Sequence, residues 1–259
     1  VRLALADQNP LVQHIAVRSF STYPDPLAKP QLIQLLKSEH PEIRREAATA
    51  LGRLGDPTAI EHLLAALANP ADIDRTEDHA IIFALIEIDN VPVTRQGLVS
   101  DDPDSQRGAL LAVDQMTQAV DGNLTAEDVL RLVVSQNPRT QLAAAHVFSQ
   151  HADWASHSVD VIGPLLEATG TAASREIARQ LITDSLGQDK TAELVGRLLS
   201  NRQTTTEIKE LLLAAIAAGN GLTLHASWVA PLEQRLANDE QRIVDQTLAA
   251  LAAIKTDHF

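Results

Sequence analysis

The sequence predicts an all-α fold made of about seven to eight stacked helical hairpins. Three observations predict it: 45% apolar with only 3% aromatic residues, a proline-marked unit that recurs along the chain, and apolar residues at two fixed positions of nearly every unit. A chain rich in Ala, Leu, Ile and Val suits closely packed helices better than a β-sandwich. Its 259 residues are enough for an array of such hairpins.

The clearest unit runs from Pro41 to Leu67. Pro41 suits the first helical turn, Gly55 suits a helix end, and Asp56 with Pro57 suits the start of a second helix. Between these signals, apolar residues recur at the spacing of one helix face. We expect the first helix to bury Ile43, Ala47, Ala50, Leu51 and Leu54, and the second to bury Ile60, Leu63, Leu64 and Leu67.

The frame set by Pro41 recurs at positions 10, 41, 75, 103, 138, 172, 206 and 241. Two core positions test it. The position of Ala47 is held in turn by Ala16, Ala47, Ile81, Ala109, Ala144, Ala178, Leu212 and Thr247. The position of Leu51 is held by Phe20, Leu51, Leu85, Val113, Phe148, Ile182, Ile216 and Leu251. The short interval from 75 to 103 predicts a short second helix near Pro92 to Val99 in the third repeat.

The joints between helices carry ordinary turn and cap signals. Thr125 is predicted to cap a helix whose first turn holds Glu127 and Asp128. Residues 219–221 and 153–158 are predicted as extended connections, too short to separate domains. We therefore expect a single solenoid domain over residues 1–259. Because the chain starts in mid-pattern at Val1, we also expect it to be an internal segment of a larger protein.

Charge and composition narrow the function classes. The formal net charge is −13, which repels phosphate backbones and argues against nucleic-acid binding. There is no cysteine, so the chain has no disulfide and no thiolate metal or haem attachment site. No apolar run approaches the roughly 20 residues of a membrane span, so membrane insertion is not expected.

The unit from Pro41 to Leu67 resembles a known repeat family. The signature residues of tetratricopeptide and ankyrin repeats are absent. The stretch that reads PEIRREAATALGRLGDP closely resembles the short bacterial HEAT-like repeat that also occurs in phycobilisome lyases. This resemblance implies a right-handed α-α superhelix, a HEAT-repeat solenoid. It also raises an alternative function, a bilin lyase-like or other enzyme that uses a concave groove, although a shared repeat reports packing and not chemistry.

A second resemblance covers residues 75–155. The segments EDHA at 77–80, RGALLAVDQM at 107–116 and HADWA at 151–155 are similar to the HEAT segment of planctomycete-type exported proteins, where it joins a dehydrogenase-like propeller to a c-type cytochrome. The resemblance implies a spacer between catalytic modules, in a periplasmic or exported protein. The redox residues of that family have no counterpart here, so no cofactor is predicted for this segment.

Candidate sites for chemistry are few. His146, His151, Asp153 and His157 form the densest group of metal-ligand types, but the spacing of His146 and His151 does not match one helix face, so a packed or capping His151 is favoured. Asp7, Asp56, Asp101 and Asp102 recur at turns, where carboxylates cap backbone amides. Trp228 is expected to fill space in the core. We predict no catalytic, cofactor-binding or metal-binding residues, since no motif for them stands out.

Any binding surface should lie on the concave side, which the second helices line. Helical phase selects polar residues that point away from the predicted core: Gln34, Glu61, His62, Arg131, Arg197 and Arg235. The predicted function is a non-catalytic scaffold. Its predicted partner is another protein or a neighbouring domain of the same chain.

Overall fold

The computed structural model describes residues 1–68, 74–116, 124–167, 172–219, 221–238 and 240–254. Within them lie fifteen α-helices, none long and apolar enough to cross a membrane. The helices are α1 (Pro10–Thr22), α2 (Lys29–Leu35), α3 (Pro41–Leu54), α4 (Ile60–Leu67), α5 (Arg75–Ile88), α6 (Val91–Thr94), α7 (Pro103–Gln115), α8 (Ala126–Val133), α9 (Pro138–Gln150), α10 (Val159–Glu167), α11 (Ala172–Ser185), α12 (Asp189–Ser200), α13 (Thr206–Ala218), α14 (Ala226–Asn238) and α15 (Gln241–Ala253).

The predicted register is confirmed at every mark. The odd-numbered helices α1 to α15 begin at residues 10, 41, 75, 103, 138, 172, 206 and 241, and are the first helices of their repeats. Where the first residue of the helix is not proline, the preceding residue can cap the helix with its side chain. Asp74 accepts hydrogen bonds from the amides of Thr76 and Glu77, and Thr205 accepts one from the amide of Ile208. These caps satisfy amide groups that the first turn leaves without helical partners.

The two core positions are confirmed as well. All eight residues at the position of Ala47 are buried, and seven of the eight at the position of Leu51 are buried. Leu251, in the last described helix, is half-buried. At Gly52 an added Cβ would lie 2.8 Å from the Cα of Ala84, so the absence of a side chain there lets α5 approach α3 closely.

The hairpin of the second repeat follows its sequence signals. Gly55 ends α3 with φ +70°, a left-handed conformation that favours glycine. Asp56 then caps a 3-10 turn, Pro57–Ala59, which leads into α4. Of the predicted core residues, only Leu54 is half-buried and the rest are buried. The predicted N-cap at Thr125 is confirmed in α8, and Asp128 completes a capping box with it through reciprocal hydrogen bonds.

The irregular joints match the predictions in one case and differ in another. The third repeat has the predicted short second helix, α6 followed by a 3-10 helix at Arg95–Val99. Residues 153–158 were predicted as an extended connection, and this is wrong. Most of them belong to a 3-10 helix, Ala152–His157, because Trp154 is nearly buried and anchors the segment against Phe148.

The chain forms two compact bodies, Val1–Ala144 and Ala145–Phe259. In the first body α1 packs on α3, α3 on α5 and α5 on α7; in the second body α11 packs on α13, α13 on α15 and α12 on α14. The all-α fold of stacked hairpins is thereby confirmed within each body. That residues 1–259 form one continuous superhelical domain stays a prediction.

Candidate interaction surface on the second helices

The structure exposes five of the six residues that helical phase selected. They are Gln34 on α2, Glu61 and His62 on α4, Arg131 on α8 and Arg197 on α12. On α4 the cause is direct, because Ile60, Leu63, Leu64 and Leu67 turn inward and leave Glu61 and His62 facing solvent. We call the four residues of the first body, Gln34, Glu61, His62 and Arg131, the second-helix surface.

Arg235 does not belong to this surface, and the exposure predicted for it is wrong. The residue is only 6% exposed, and its guanidinium donates a hydrogen bond to the carbonyl of Leu199. Leu199 lies in the last turn of α12, where carbonyls lack helical partners and the helix dipole is negative. Arg235 therefore stabilises the end of the preceding second helix. Arg131 also donates to a preceding repeat, at the carbonyl of Leu98, but stays exposed.

An open groove of about 650 Å³ lies beside Glu61 in the first body. It is bordered by the start of α4, the 3-10 helix after α6 and the start of α7. Gly97 forms part of its floor, where an added Cβ would lie 2.7 Å from the Cβ of Ala109. The hydroxyl of Ser105 donates to the carbonyl of Leu64 at 2.9 Å. The lining residues are Pro57, Thr58, Ile60, Glu61, Leu64, Ala65, Val93, Gln96, Gly97, Ser100 and Ser105.

A second groove, of about 710 Å³, lies beside His62. Its charged lining includes Arg44 and Glu77, which are bound to each other. The guanidinium of Arg44 donates to both carboxylate oxygens of Glu77, at 2.6 and 2.7 Å, and to the carbonyl of Ser38 at 2.8 Å. Because the charges of this arginine and this carboxylate neutralise each other, the pair gives the groove polar groups but no net charge.

Buried ion pairs between neighbouring first helices were missed in the sequence. Glu77 is 2% exposed and pairs with Arg44 of the previous repeat. Arg107 is buried and binds Asp78 of the previous repeat through both guanidinium Nη atoms. It also donates to Asp104 on its own helix at 3.2 Å.

More exposed ion pairs between first helices recur along the chain. Arg139 binds Asp104 at 3.1 Å, Arg175 binds Glu207 at 2.9 Å, and Arg242 binds Glu210 at 2.8 Å. A signal for it was present in the sequence, since opposite charges fall near the starts of consecutive first helices.

The carboxylates with clearly lowered pKa values bind neighbouring donors at the surface. The hydrogen bond from the Lys29 ammonium, with those from Thr58, lowers the pKa of Asp56 to about 2. The hydroxyl of Thr76, with the amide of Glu77, lowers the pKa of Asp74. Asp7 and Asp102 also accept backbone amides, as turn chemistry predicts, and Asp101 is exposed.

The histidine group does not assemble into a site. The ring of His151 stacks on Trp154 with a centroid distance of 3.8 Å, which confirms the packed role. His146 is exposed, and the ring of His157 lies 3.3 Å from the hydroxyl of Ser156. Among the residues that the structure describes, no three His, Asp or Glu side chains lie close enough to hold a metal ion.

Trp228 fills space, as predicted. The residue is almost fully buried, and its Nε1 donates to the carbonyl of Ala192 at 2.7 Å.

Comparison with known proteins gives a repeat family for part of the chain. The family described as HEAT repeats matches residues 1–85. Curated proteins gave no match.

Several solved structures are similar in outline. An engineered protein is 18% identical, with 97% of this chain and 77% of that chain covered and a TM-score of 0.43. The archaeal HEAT-like repeats protein from Thermococcus onnurineus is 15% identical, with 83% and 93% covered and a TM-score of 0.40. The CpcE–CpcF complex of phycocyanin lyase from Nostoc is 15% identical, with 98% and 93% covered and a TM-score of 0.35.

Proposed function

We propose that the protein is a non-catalytic interaction scaffold whose second-helix surface binds a protein partner. One observation carries the proposal: Gln34, Glu61, His62 and Arg131 are exposed on second helices of the first body, and the two open grooves lie beside Glu61 and His62. In the second body, taken by itself, Arg197 is likewise exposed on a second helix. Open grooves flanked by mixed polar side chains suit a protein chain better than an enclosed small molecule.

The carboxylates with shifted pKa values give the lyase-like alternative no general acid. An enzyme at neutral pH needs acids or bases with pKa values near its working pH, gathered in one pocket. The clearly shifted carboxylates, Asp56, Asp74 and Glu176, all have lowered pKa values because neighbouring donors bind them. A carboxylate of lowered pKa stays ionised at neutral pH and does not act as a general acid.

Site-specific photo-crosslinking tests the surface. A photoreactive residue is introduced at Gln34 or at Glu61, with Phe83 on a first helix as the exposed control. In extracts of the source cells we expect the first two positions to crosslink one protein partner and the control position to crosslink none. Combined His62→Ala and Arg131→Ala should abolish that product. Equal crosslinking from Phe83, or a product that survives the double substitution, would contradict the proposal.

We further propose that the segment is the spacer of a larger exported redox protein, with neighbouring domains as its partners. The resemblance of residues 75–155 supports this proposal. An antibody against the segment tests it in the source cells. We expect a band well above 27.9 kDa that stains for covalently bound haem and fractionates outside the cytoplasm. A band well above 27.9 kDa without haem would refute the spacer role. It would not bear on the second-helix surface, which the crosslinking experiment tests separately.

A further inference from the structure

The groove beside Glu61 in the first body carries an unbalanced negative charge. Among the described residues that line it, Glu61 is the one with a charged side chain. Its carboxylate is exposed and makes no ion pair with another described residue. The ammonium of Lys29 donates to the hydroxyl of Thr58 at 2.9 Å on the rim of the groove, but it is already paired with Asp56 at 2.5 Å. The groove therefore offers a carboxylate that no described cation binds.

The groove beside His62 does not share this imbalance. Its described lining holds two basic and two acidic side chains, Lys37, Arg44, Glu39 and Glu77. Arg44 and Glu77 are bound to each other. Both grooves border α4, so the two sides of one second helix differ in charge. A partner that spans α4 would meet an excess of negative charge on one side only.

The hydroxyl groups in the groove beside Glu61 present lone pairs more than protons. Ser105 donates its proton to the carbonyl of Leu64 at 2.9 Å, and Thr58 donates its proton to Asp56 at 2.7 Å. Each hydroxyl has then used its single proton and keeps only acceptor capacity. An ionised carboxylate is likewise an acceptor only. A side chain rich in hydrogen-bond donors is therefore the matching occupant.

The rest of the lining suits a long aliphatic stem. Leu64, Ala65 and Val93 supply apolar surface, and Gln96 and Ser100 can donate as well as accept hydrogen bonds. Arginine and lysine side chains lay their methylene stems along apolar surface and keep the charged head among polar groups. The volume of about 650 Å³ also falls within the roughly 300–1,000 Å³ of ligand pockets.

We propose that this groove receives an arginine side chain of the protein partner, with the guanidinium at Glu61 and the stem along Leu64 and Val93. The proposal rests on the proposed function, because it names what the partner presents to the second-helix surface. Arginine matches an acceptor-rich groove best, since its planar guanidinium has five donors and no acceptor. The net charge of −13 would also draw a basic segment toward the molecule.

A capped tripeptide tests the proposal without knowledge of the partner. Acetyl-Ala-Arg-Ala-amide is titrated into the isotope-labelled full chain, and nuclear magnetic resonance follows the backbone amides of Gly97 and Ser105, which line the groove. We expect saturable shifts with a Kd on the order of 1 mM. The same tripeptide with citrulline, a neutral side chain of nearly the same shape, should bind about tenfold more weakly, because charge-assisted hydrogen bonds are stronger than neutral ones.

Three variants locate the binding. Glu61→Gln removes the charge and should weaken binding of the arginine tripeptide about tenfold. Gln96→Arg places a guanidinium of the chain itself in the groove and should weaken binding as well. Glu39→Gln is the matched control and should leave the affinity unchanged, since Glu39 is an exposed glutamate that lines only the groove beside His62. All three replaced side chains are exposed, so the variants should fold, which circular dichroism checks.

Equal affinities for arginine and citrulline, or an unchanged affinity in Glu61→Gln, would overturn the arginine pocket. So would the absence of shifts at Gly97 and Ser105, or an equal loss in Glu39→Gln, which would assign the binding to net charge alone. A crosslinked partner alongside any of these results would leave the proposed function standing. Tripeptide binding that depends on Glu61, with no crosslinked partner, would support the pocket and contradict the proposed function.

Discussion

Replacing Glu77 by alanine should destabilise the first body more than the loss of an exposed ion pair destabilises the second. Glu77 is 2% exposed and the side chain of its partner Arg44 is 12% exposed, so the substitution leaves a largely buried guanidinium without its carboxylate. Two charge-assisted hydrogen bonds are lost, each worth about 1.5–3 kcal/mol. Because Arg44 keeps its bond to Ser38 and some access to water, we expect the lower end, a loss of about 3 kcal/mol.

The matched control is Glu207→Ala. Glu207 pairs with Arg175 between consecutive first helices at 2.9 Å, but the two side chains are 67% and 42% exposed. Solvent screening limits such a pair to at most about 1 kcal/mol. Urea unfolding followed by far-ultraviolet circular dichroism measures the stability that each substitution removes. For Glu77→Ala, hydrogen exchange should show the loss of protection in α3 and α5.

A double variant tests whether the cost of Glu77→Ala comes from the charge of Arg44 that is left unpaired. Combined Arg44→Met and Glu77→Leu replaces the buried pair by apolar side chains, which is often neutral or stabilising. We therefore expect the double variant to be more stable than Glu77→Ala alone. If Glu77→Ala cost no more than Glu207→Ala, burial would not set the strength of these ion pairs and the reasoning would be refuted.

Three further predictions concern packing and pH. Gly196→Ala should cost about 1–3 kcal/mol in urea unfolding, because the new Cβ would lie 2.6 Å from the carbonyl oxygen of Ser227; an unchanged midpoint would show that the helices separate freely. Gly163→Ala, in α10 directly before Pro164, should not stabilise: its new Cβ meets no other helix, but a Cβ before proline disfavours the helical backbone, which opposes the about 0.5–1 kcal/mol that alanine otherwise gains over glycine; a gain of that size would contradict this. Asp56, whose pKa falls from 3.8 to about 2 beside Lys29, stabilises the fold above pH 4 and loses that contribution as the pH falls toward 2; Asp56→Asn should flatten acid unfolding over this range, and an identical acid profile would rule the contribution out.

The register of the repeat could be predicted from sequence because it depends on local signals. Proline in a first turn, a glycine at a helix end and buried residues at fixed spacing are set by backbone geometry and by one helix face. The structure places all eight first-helix starts at the predicted residues, even at Arg75 and Thr206, where Asp74 and Thr205 cap the helix without proline.

The candidate surface could be predicted only in part. Helical phase separates the exposed Glu61 from the buried Leu64, because the positions of both residues depend only on the geometry of one helix. It fails for Arg235, whose burial is decided by a carbonyl of another repeat. A long charged side chain can bend onto the end of a neighbouring helix. Its phase within its own helix does not predict this contact.

The buried ion pairs were missed for the same reason. Glu77, Asp78 and Arg107 stand near the N-terminal ends of their helices, and their local pattern looks like a solvated helix start. Only stacking brings Glu77 to Arg44 and Asp78 to Arg107, one repeat apart. These residues therefore hold neighbouring repeats together.

The placement of the aromatic residues divides the molecule optically. The chain has two tryptophans, Trp154 and Trp228, and both lie in the second body, whereas its one tyrosine, Tyr23, ends α1 in the first. Tryptophan emission therefore reports on the second body and is silent about the ion pairs around Glu77. Tyrosine emission reports on the end of α1, so separate chromophores follow the unfolding of the two bodies.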